Sequence, residues 1–279
     1  MTMVSVVVPT YDDDPEHVRE AVASALTQTY SQVEVIVVAD GSTPAVEGAA
    51  LNSLGPVTLL RQENAGPSAA RNAGVRAAQG GLIICVDADD VLSPTYAAEG
   101  VCILTDDSRV SAAYSAVEPF GDLTSAPWPT RGVLRLEDFA QRSAVPVSSM
   151  FRRRDWERVG GFDETMRTGM EDHEWWIRLL GATGGTAAPM PTAVLRYRIR
   201  PASRSKLRAY ADDLAVTRSR ILANNPPPVL GQLLVGAWAA TDAAEAEAAR
   251  AWSDPWQLRR WGRALRRRLK RLRSFAQRG

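Results

Sequence analysis

The chain alternates short, continuous apolar runs with segments whose apolar residues recur every three or four positions. VSVVVPT (4–10), VEVIVVA (33–39), VTLLRQ (57–62) and LIICVD (82–87) read as strands. Between them, Asp14-Pro15 gives an N-cap followed by proline at the first helical position, with Val18, Ala21, Val22 and Ala25 at helical spacing. Ser68 is the expected cap of a second helix through Ala78, and Ser93-Pro94 the expected start of a third. Strands apolar on both faces, alternating with helices, predict a parallel α/β sheet.

Further along, VSAAYSAV (110–117) reads as a strand and GDLTSAPWPTRG (121–132) as a Pro/Gly-rich loop. VPVSSMFRR (145–153) predicts another strand, followed by a short helix over 154–159 and a turn at Gly160-Gly161. A helix begins at Glu171 with Trp175, Trp176, Leu179 and Leu180 on its apolar face, and TAVLRYRI (192–199) is a late strand. A helix over about 205–223 stops before Asn224-Asn225-Pro226-Pro227-Pro228. That stretch is the expected boundary between a body at 1–225 and a helical extension at 226–279.

Charge separates the two parts. Of 33 basic residues, ten lie after Asp254 with no acid among them, so the first 254 residues carry 23 basic and 32 acidic groups. In the tail, Leu258, Trp261, Leu265, Leu269 and Leu272 share one helical face against many arginines. This pattern (255–275) predicts either binding to an anionic membrane surface or docking on the acidic body. The arginines are not interleaved with stacking aromatics, so no nucleic-acid partner is expected. No apolar run reaches 18 residues, and the N-terminus reads as a strand rather than a leader. Two cysteines, Cys85 and Cys102, in apolar segments support no disulfide framework; the expected setting is cytoplasmic, at the inner face of the membrane if the tail binds there. Two lysines against 31 arginines, with abundant alanine, suggest a GC-rich bacterial genome.

The candidate chemistry lies where strands end. Ligands of open α/β sheets bind beyond the carboxyl ends of the strands, and Tyr11, Asp40 and Asp87 to Asp90 all fall there. LIICVDADD (82–90) drives a buried strand straight into Asp87, Asp89 and Asp90. Carboxylates this close resist ionisation together unless a cation or hydrogen bonds offset the repulsion. By itself Asp87-Ala88-Asp89 serves equally as a turn in which Asp89 or Asp90 helps cap the next helix, or as a divalent-cation site of hard oxygen ligands.

With PTYDD (9–13), ADGST (39–43), NAGPSAARNAGVRAAQGG (64–81), GGFDE (160–164) and MEDHEWWIRL (170–179) in this order, the chain over about residues 3–205 resembles the family 2 glycosyltransferases of GT-A fold. The resemblance implies transfer of a sugar from a nucleotide-diphosphate donor to an acceptor hydroxyl with inversion, assisted by Mn²⁺ or Mg²⁺. It implies a mostly parallel central sheet flanked by helices. It places Pro9, Thr10, Tyr11, Asp40 and Arg71 around the nucleoside, Asp87 and Ala88 at the ribose, and Asp89 (with Asp87) at the metal. It makes Asp172, in Glu171-Asp172, the general base. The expected donor is a UDP-sugar, with dTDP- and GDP-sugars as alternatives. The expected acceptor is a saccharide or lipid-linked glycan of a bacterial cell envelope.

Two positions depart from the family pattern. Ala39 stands where a second acid commonly precedes the glycine, which weakens the case for uridine. Arg200 stands where a histidine often completes the metal site. Arginine stays protonated and cannot ligate a metal, but can grip a diphosphate. These departures are also the best support for the rival reading, a non-catalytic membrane-surface protein on a degenerate fold. A nucleotidyltransferase would need a Gly-rich loop where this chain has PTYDDDP, and a phosphatase would want Gly-Thr at Asp90-Val91. Gln257-Leu258-Arg259-Arg260-Trp261 matches the Q-x-x-R-W of membrane synthases in letters, but it stands 85 residues after Asp172, in the basic tail. The histidines His17 and His173 form no metal-spaced pair; His173 is expected to be partly exposed on its helix.

Overall fold

The computed structural model describes residues 2–41, 51, 54–122, 125–167, 169–200 and 210–253. The tail at 255–275 and the segment 201–209 lie outside the described residues. The four strands expected at the start are β1 (Val4–Thr10), β2 (Val33–Asp40), β3 (Val57–Gln62) and β4 (Leu82–Cys85). They run parallel in the order β3-β2-β1-β4. Beyond them the sheet continues through β7 (Met150–Arg152), β6 (Val110–Gly121), β8 (Thr186–Ile199) and a two-residue β5 (Val91–Leu92).

The parallel expectation holds for one half of the sheet and is mixed in the other. β7 runs antiparallel to both β4 and β6, and β5 runs antiparallel to β8, while β6 and β8 are parallel. Reversal lets the chain return to a neighbouring strand without a crossover helix. The strand expected over 145–153 shrinks to three residues, because Val145–Ser149 turns instead: Ser149 donates to the Pro146 carbonyl through both its amide and its hydroxyl. β8 begins earlier than expected and shifts register against β6 between Tyr114 and Ala116.

Both faces of the sheet are covered. Val4, Val6 and Val8 face a core shared with α1 (Pro15–Leu26) and α3 (Tyr96–Asp106). Val7, Ile36 and Val38 face α2 (Pro67–Ala77) and α5 (Glu171–Thr183), with α4 (Arg153–Val159) beside them. This two-sided burial explains why the strands read as unbroken apolar runs. α2 lies so close to β1 that a Cβ on Gly74 would run into Val7 Cγ1. On the second face Trp175 stacks on Phe162 at 4.3 Å and meets Phe151 edge-on at 4.6 Å, so the Gly160-Gly161-Phe162 turn is clamped against the start of α5.

Several helix starts differ from expectation for local reasons. Asp14 caps α1 as predicted, accepting from the Glu16 amide at 2.9 Å. The cap of α2 is Gly66 at φ 92°, with Pro67 in the first turn, and Ser68 is buried inside the helix. α3 begins at Tyr96 because Val91–Leu92 pairs with β8 and Ser93 only turns the chain, its carbonyl accepting from the Tyr96 amide. Its N-cap, Thr95, makes no side-chain cap bond, so neither Asp89 nor Asp90 caps this helix. At the carboxyl end, α6 (Tyr210–Asn224) and α7 (Pro227–Ser253) meet at the proline run. Val229 and Leu233 of α7 are buried in the second core. Among the described residues no helix is long and apolar enough to cross a membrane.

Candidate active site

Six carboxylates and three guanidinium groups gather at the carboxyl edge of β1 and β4, among the described residues. Two of the guanidinium groups, those of Arg71 and Arg200, are each shared by two carboxylates. Arg71, from α2, donates Nη2 to Asp87 Oδ1 and Nη1 to Glu171 Oε1, both at 2.7 Å. Arg200, just after β8, donates Nη2 to Asp89 Oδ2 at 2.6 Å and lies 3.7 Å from Asp13. Arg198 gives its backbone amide to Asp90 Oδ1 at 2.9 Å, its Nε to the Asp89 carbonyl at 2.9 Å, and pairs with Glu20. The crowded strand end is therefore partly neutralised from α2 and β8.

The neutralisation is incomplete. Burial first, and then the charges of Asp87 and Asp89, push the Asp90 carboxyl well above the usual carboxylate range. Asp89 is raised by burial and by Asp87, against the opposing pull of Arg200, and Asp13 is raised mainly by burial. Excess negative charge in a partly dry pocket favours a further cation. No three His, Cys, Asp or Glu side chains converge as a ready-made cage among the described residues. Mg²⁺ and Mn²⁺ do not need one, since they take one or two carboxylates and complete their shell with substrate phosphates. In charge and donor type the residues fit such an ion: Asp87 and Asp89 each have one oxygen ion-paired, with Arg71 and Arg200 respectively.

The other predicted positions take distinct places. Tyr11 is 56% exposed at the rim, and its amide donates to Asp13 Oδ2 at 3.1 Å. Thr10 is buried and donates its hydroxyl to the same oxygen at 3.2 Å; Pro9 is within β1. Ala88 is buried between the two acids. Asp40 is buried and accepts from Gln62 Nε2 and the Ala65 amide at 2.8 Å and from the Gly66 amide at 2.9 Å. It thus anchors the loop into α2, with three of about four acceptor positions of a carboxylate in use.

α5 starts from Gly169 and Met170, both at positive φ, which turns its first residues into the site. Glu171 is buried against Arg71, and Asp172 is partly exposed. Burial, followed by the adjacent Glu171 charge, raises the Asp172 carboxyl to about 6, while Arg71 pulls it down. A carboxylate in this range can take a proton near neutral pH. His173 is buried rather than partly exposed: its Nε2 lies 2.7 Å from the Phe139 carbonyl, and burial lowers its basicity. Its ring faces the 3₁₀ turn Leu136–Phe139 and not the carboxylates.

The Glycosyl transferase family 2 model matches residues 5–169, more than half of the chain. The chain belongs to glycosyltransferase family 2. An uncharacterised glycosyltransferase of Rickettsia prowazekii is 36% identical over 102 residues, 37% of this chain and 32% of that protein. One from Rickettsia conorii is 28% identical over 192 residues, 64% of this chain and 31% of its own length. The glycosyltransferase GlyA of Streptococcus pneumoniae is 37% identical over 97 residues, 33% of this chain and 14% of GlyA. The chain spans about a third or less of these relatives. Among solved structures, S. aureus TarS 1–349 in complex with UDP-GlcNAc superposes with a TM-score of 0.62 at 18% identity, covering 80% of this chain and 66% of that one. This likeness shows a GT-A-like fold. The family match ends two residues before Glu171, so the Glu171-Asp172 pair lies just outside the matched residues.

Three contributors to this family 2 site went unrecognised in the sequence. Asp13 was visible only as part of PTYDD. Arg198 sits in Arg196-Tyr197-Arg198-Ile199-Arg200, where the two-residue strand period could have shown three arginines on one face. Asn72 left no signal. It is buried, its Oδ1 accepts from Trp156 Nε1 and the Phe162 amide, and its Nδ2 donates to the Phe162 carbonyl and Glu164.

Proposed function

We propose that this family 2 protein is an inverting glycosyltransferase that moves a sugar from a nucleotide-diphosphate donor to an acceptor hydroxyl. One observation carries the reading: the Asp87/Asp89 strand end and the Glu171-Asp172 helix start, 82 residues apart at their nearest, meet on one guanidinium, Arg71. Direct displacement needs charge neutralisation at the leaving diphosphate and a base at the acceptor, on opposite sides of the sugar. Asp89, with Asp87 beside it, is the expected holder of Mn²⁺ or Mg²⁺. When bound, the ion would draw charge from the departing diphosphate. Asp172 takes the acceptor proton, and its raised carboxyl suits that task at neutral pH. Pro9, Thr10 and Tyr11 line the nucleoside side, with Asp40 shaping the loop that closes it. Arg200 is placed to hold diphosphate oxygens once it is drawn from Asp89.

A UDP-sugar is the proposed donor, with dTDP- and GDP-sugars as the alternatives. TarS, of like fold, is described in complex with UDP and with UDP-GlcNAc. The proposed acceptor is a saccharide or lipid-linked glycan of the bacterial envelope, reached from the cytoplasmic side with the basic tail at 255–275 on the membrane surface. The test is Asp172→Asn, which should bind nucleoside diphosphate within a few-fold of wild type and lose transfer by about 10³-fold or more. Full transfer by this variant would remove Asp172 from the chemistry.

A further inference from the structure

We propose that Arg71 is a positioning residue that couples the donor and acceptor halves of the site, rather than a direct contact to the nucleoside base. This rests on the transferase reading for its purpose, but on the geometry for its substance. Arg71 leaves α2 almost wholly buried, its side chain 3% exposed. Each of its two terminal nitrogens is engaged, Nη2 on Asp87 just past β4 and Nη1 on Glu171 at the start of α5, while its Nε is buried without a hydrogen-bond partner. The guanidinium carbon lies 5.7 Å from the centre of the Phe162 ring, which is itself stacked on Trp175 of α5. A guanidinium fork is rigid and planar, so two simultaneous bonds fix the strand end and the helix start relative to each other.

The local sequence explains why α5 needs such a tie. Its first turn carries Glu171, Asp172 and Glu174, and its N-cap Met170 makes no side-chain cap bond. Glu174 is neutralised within the helix by Arg178, through bonds of 2.8 and 2.9 Å. Glu171 is neutralised across the fold, by Arg71. The charged groups that act on Asp172 are Glu171 on its own helix, which opposes its ionisation, and Arg71 from α2, which favours it. Arg71 thus sets both where the helix start sits and how readily Asp172 gives up its proton.

The experiment is a carboxyl ¹³C NMR titration of Asp172 in the ligand-free full chain, with the resonance identified by its loss in Asp172→Asn. It is run on wild type, Arg71→Gln, Arg71→Lys and Glu171→Gln, beside UDP binding and the pH profile of kcat. Removing the cation should move the Asp172 titration up by about one unit or more, and removing the neighbouring acid should move it down. Arg71→Lys should keep most of the wild-type titration but, lacking the fork, lose kcat about 10²-fold. UDP should bind all three variants within a few-fold of wild type. If Arg71→Gln loses UDP binding while Asp172 titrates as in wild type, Arg71 is a nucleotide contact and the coupling role is wrong. Should Arg71→Gln be too unstable to titrate, Glu171→Gln decides: an unmoved Asp172 and unchanged kcat would overturn the proposal. The NMR arm needs no donor. A wild type that binds no nucleotide would therefore refute the transferase reading while leaving the electrostatic coupling separately decided.

Discussion

At the scale of single residues, the site is a set of shared charges, and sharing determines which side chains can be removed cheaply. Asp89 has one oxygen against Arg200 and a carboxyl raised by burial and by Asp87. Asp89→Asn should therefore fold normally yet lose the Mn²⁺-dependent part of UDP binding, read by calorimetry. Gly161 behaves differently. It sits at φ 79°, and a Cβ there would meet Asn72 Oδ1 at 2.6 Å, in the middle of the Asn72 network. Gly161→Ala combines left-handed strain of about 1 kcal/mol with disruption of buried hydrogen bonds. A melting temperature lower by at least about 4 °C is expected, whereas an unchanged one would show that the turn can relax. The acids were legible in the sequence, because Asp at strand ends stands out against apolar runs. Their partners were not. An arginine declares neither its burial nor its target: the family motif placed Arg71 near the nucleoside without its carboxylate partners, and Arg198 looks like an ordinary strand charge until the chain is folded.

At the scale of elements, the reading of apolar runs located β1 to β4 to within two residues at their ends, since strands buried on both faces leave little ambiguity. It overextended β7 and missed β5. A two-residue strand has no period to detect, and the 145–149 stretch is apolar enough to pass for sheet while turning at Pro146. Helix starts erred where backbone amides were already claimed: the Gly66 amide goes to Asp40, so the loop bonded to that carboxylate, not the side chain of Ser68, delivers the chain into α2. The element with most at stake is α5. Its Trp175 is fully buried between Phe162, Phe151 and Trp176. Trp175→Ala should cost about 3–5 kcal/mol. It should also lower kcat by more than it raises KM, because the helix that carries Asp172 loses its seat. Urea unfolding and steady-state kinetics would check the two effects, and a destabilised variant with wild-type kcat would separate packing from catalysis.

For the whole molecule, the raised carboxyls make stability depend on pH in a defined sense. Asp172 rises from 3.8 to about 6 on folding, and Asp13, Asp89 and Asp90 are raised as well. Such groups favour the folded state below their unfolded values, and the advantage is lost as pH climbs through the folded ones. For Asp172 the window is about 4 to 6, and its partial exposure tempers the effect. Asp172→Asn should therefore melt a few degrees above wild type at pH 8 and level with it at pH 4; equal melting at both would contradict the shift. The same excess charge predicts that Mn²⁺ raises the melting temperature more at pH 8 than at pH 5.

The central claim is that the carboxylates at the end of β4 form a metal-assisted diphosphate site. Calorimetric titration of UDP, dTDP, GDP and CMP into wild type and Asp89→Ala, with and without Mn²⁺, tests it most directly. The account predicts that one nucleoside diphosphate, UDP first, binds wild type, needs Mn²⁺ for full affinity, and is lost in Asp89→Ala. Binding that is absent throughout, or indifferent to both Mn²⁺ and Asp89, would contradict it.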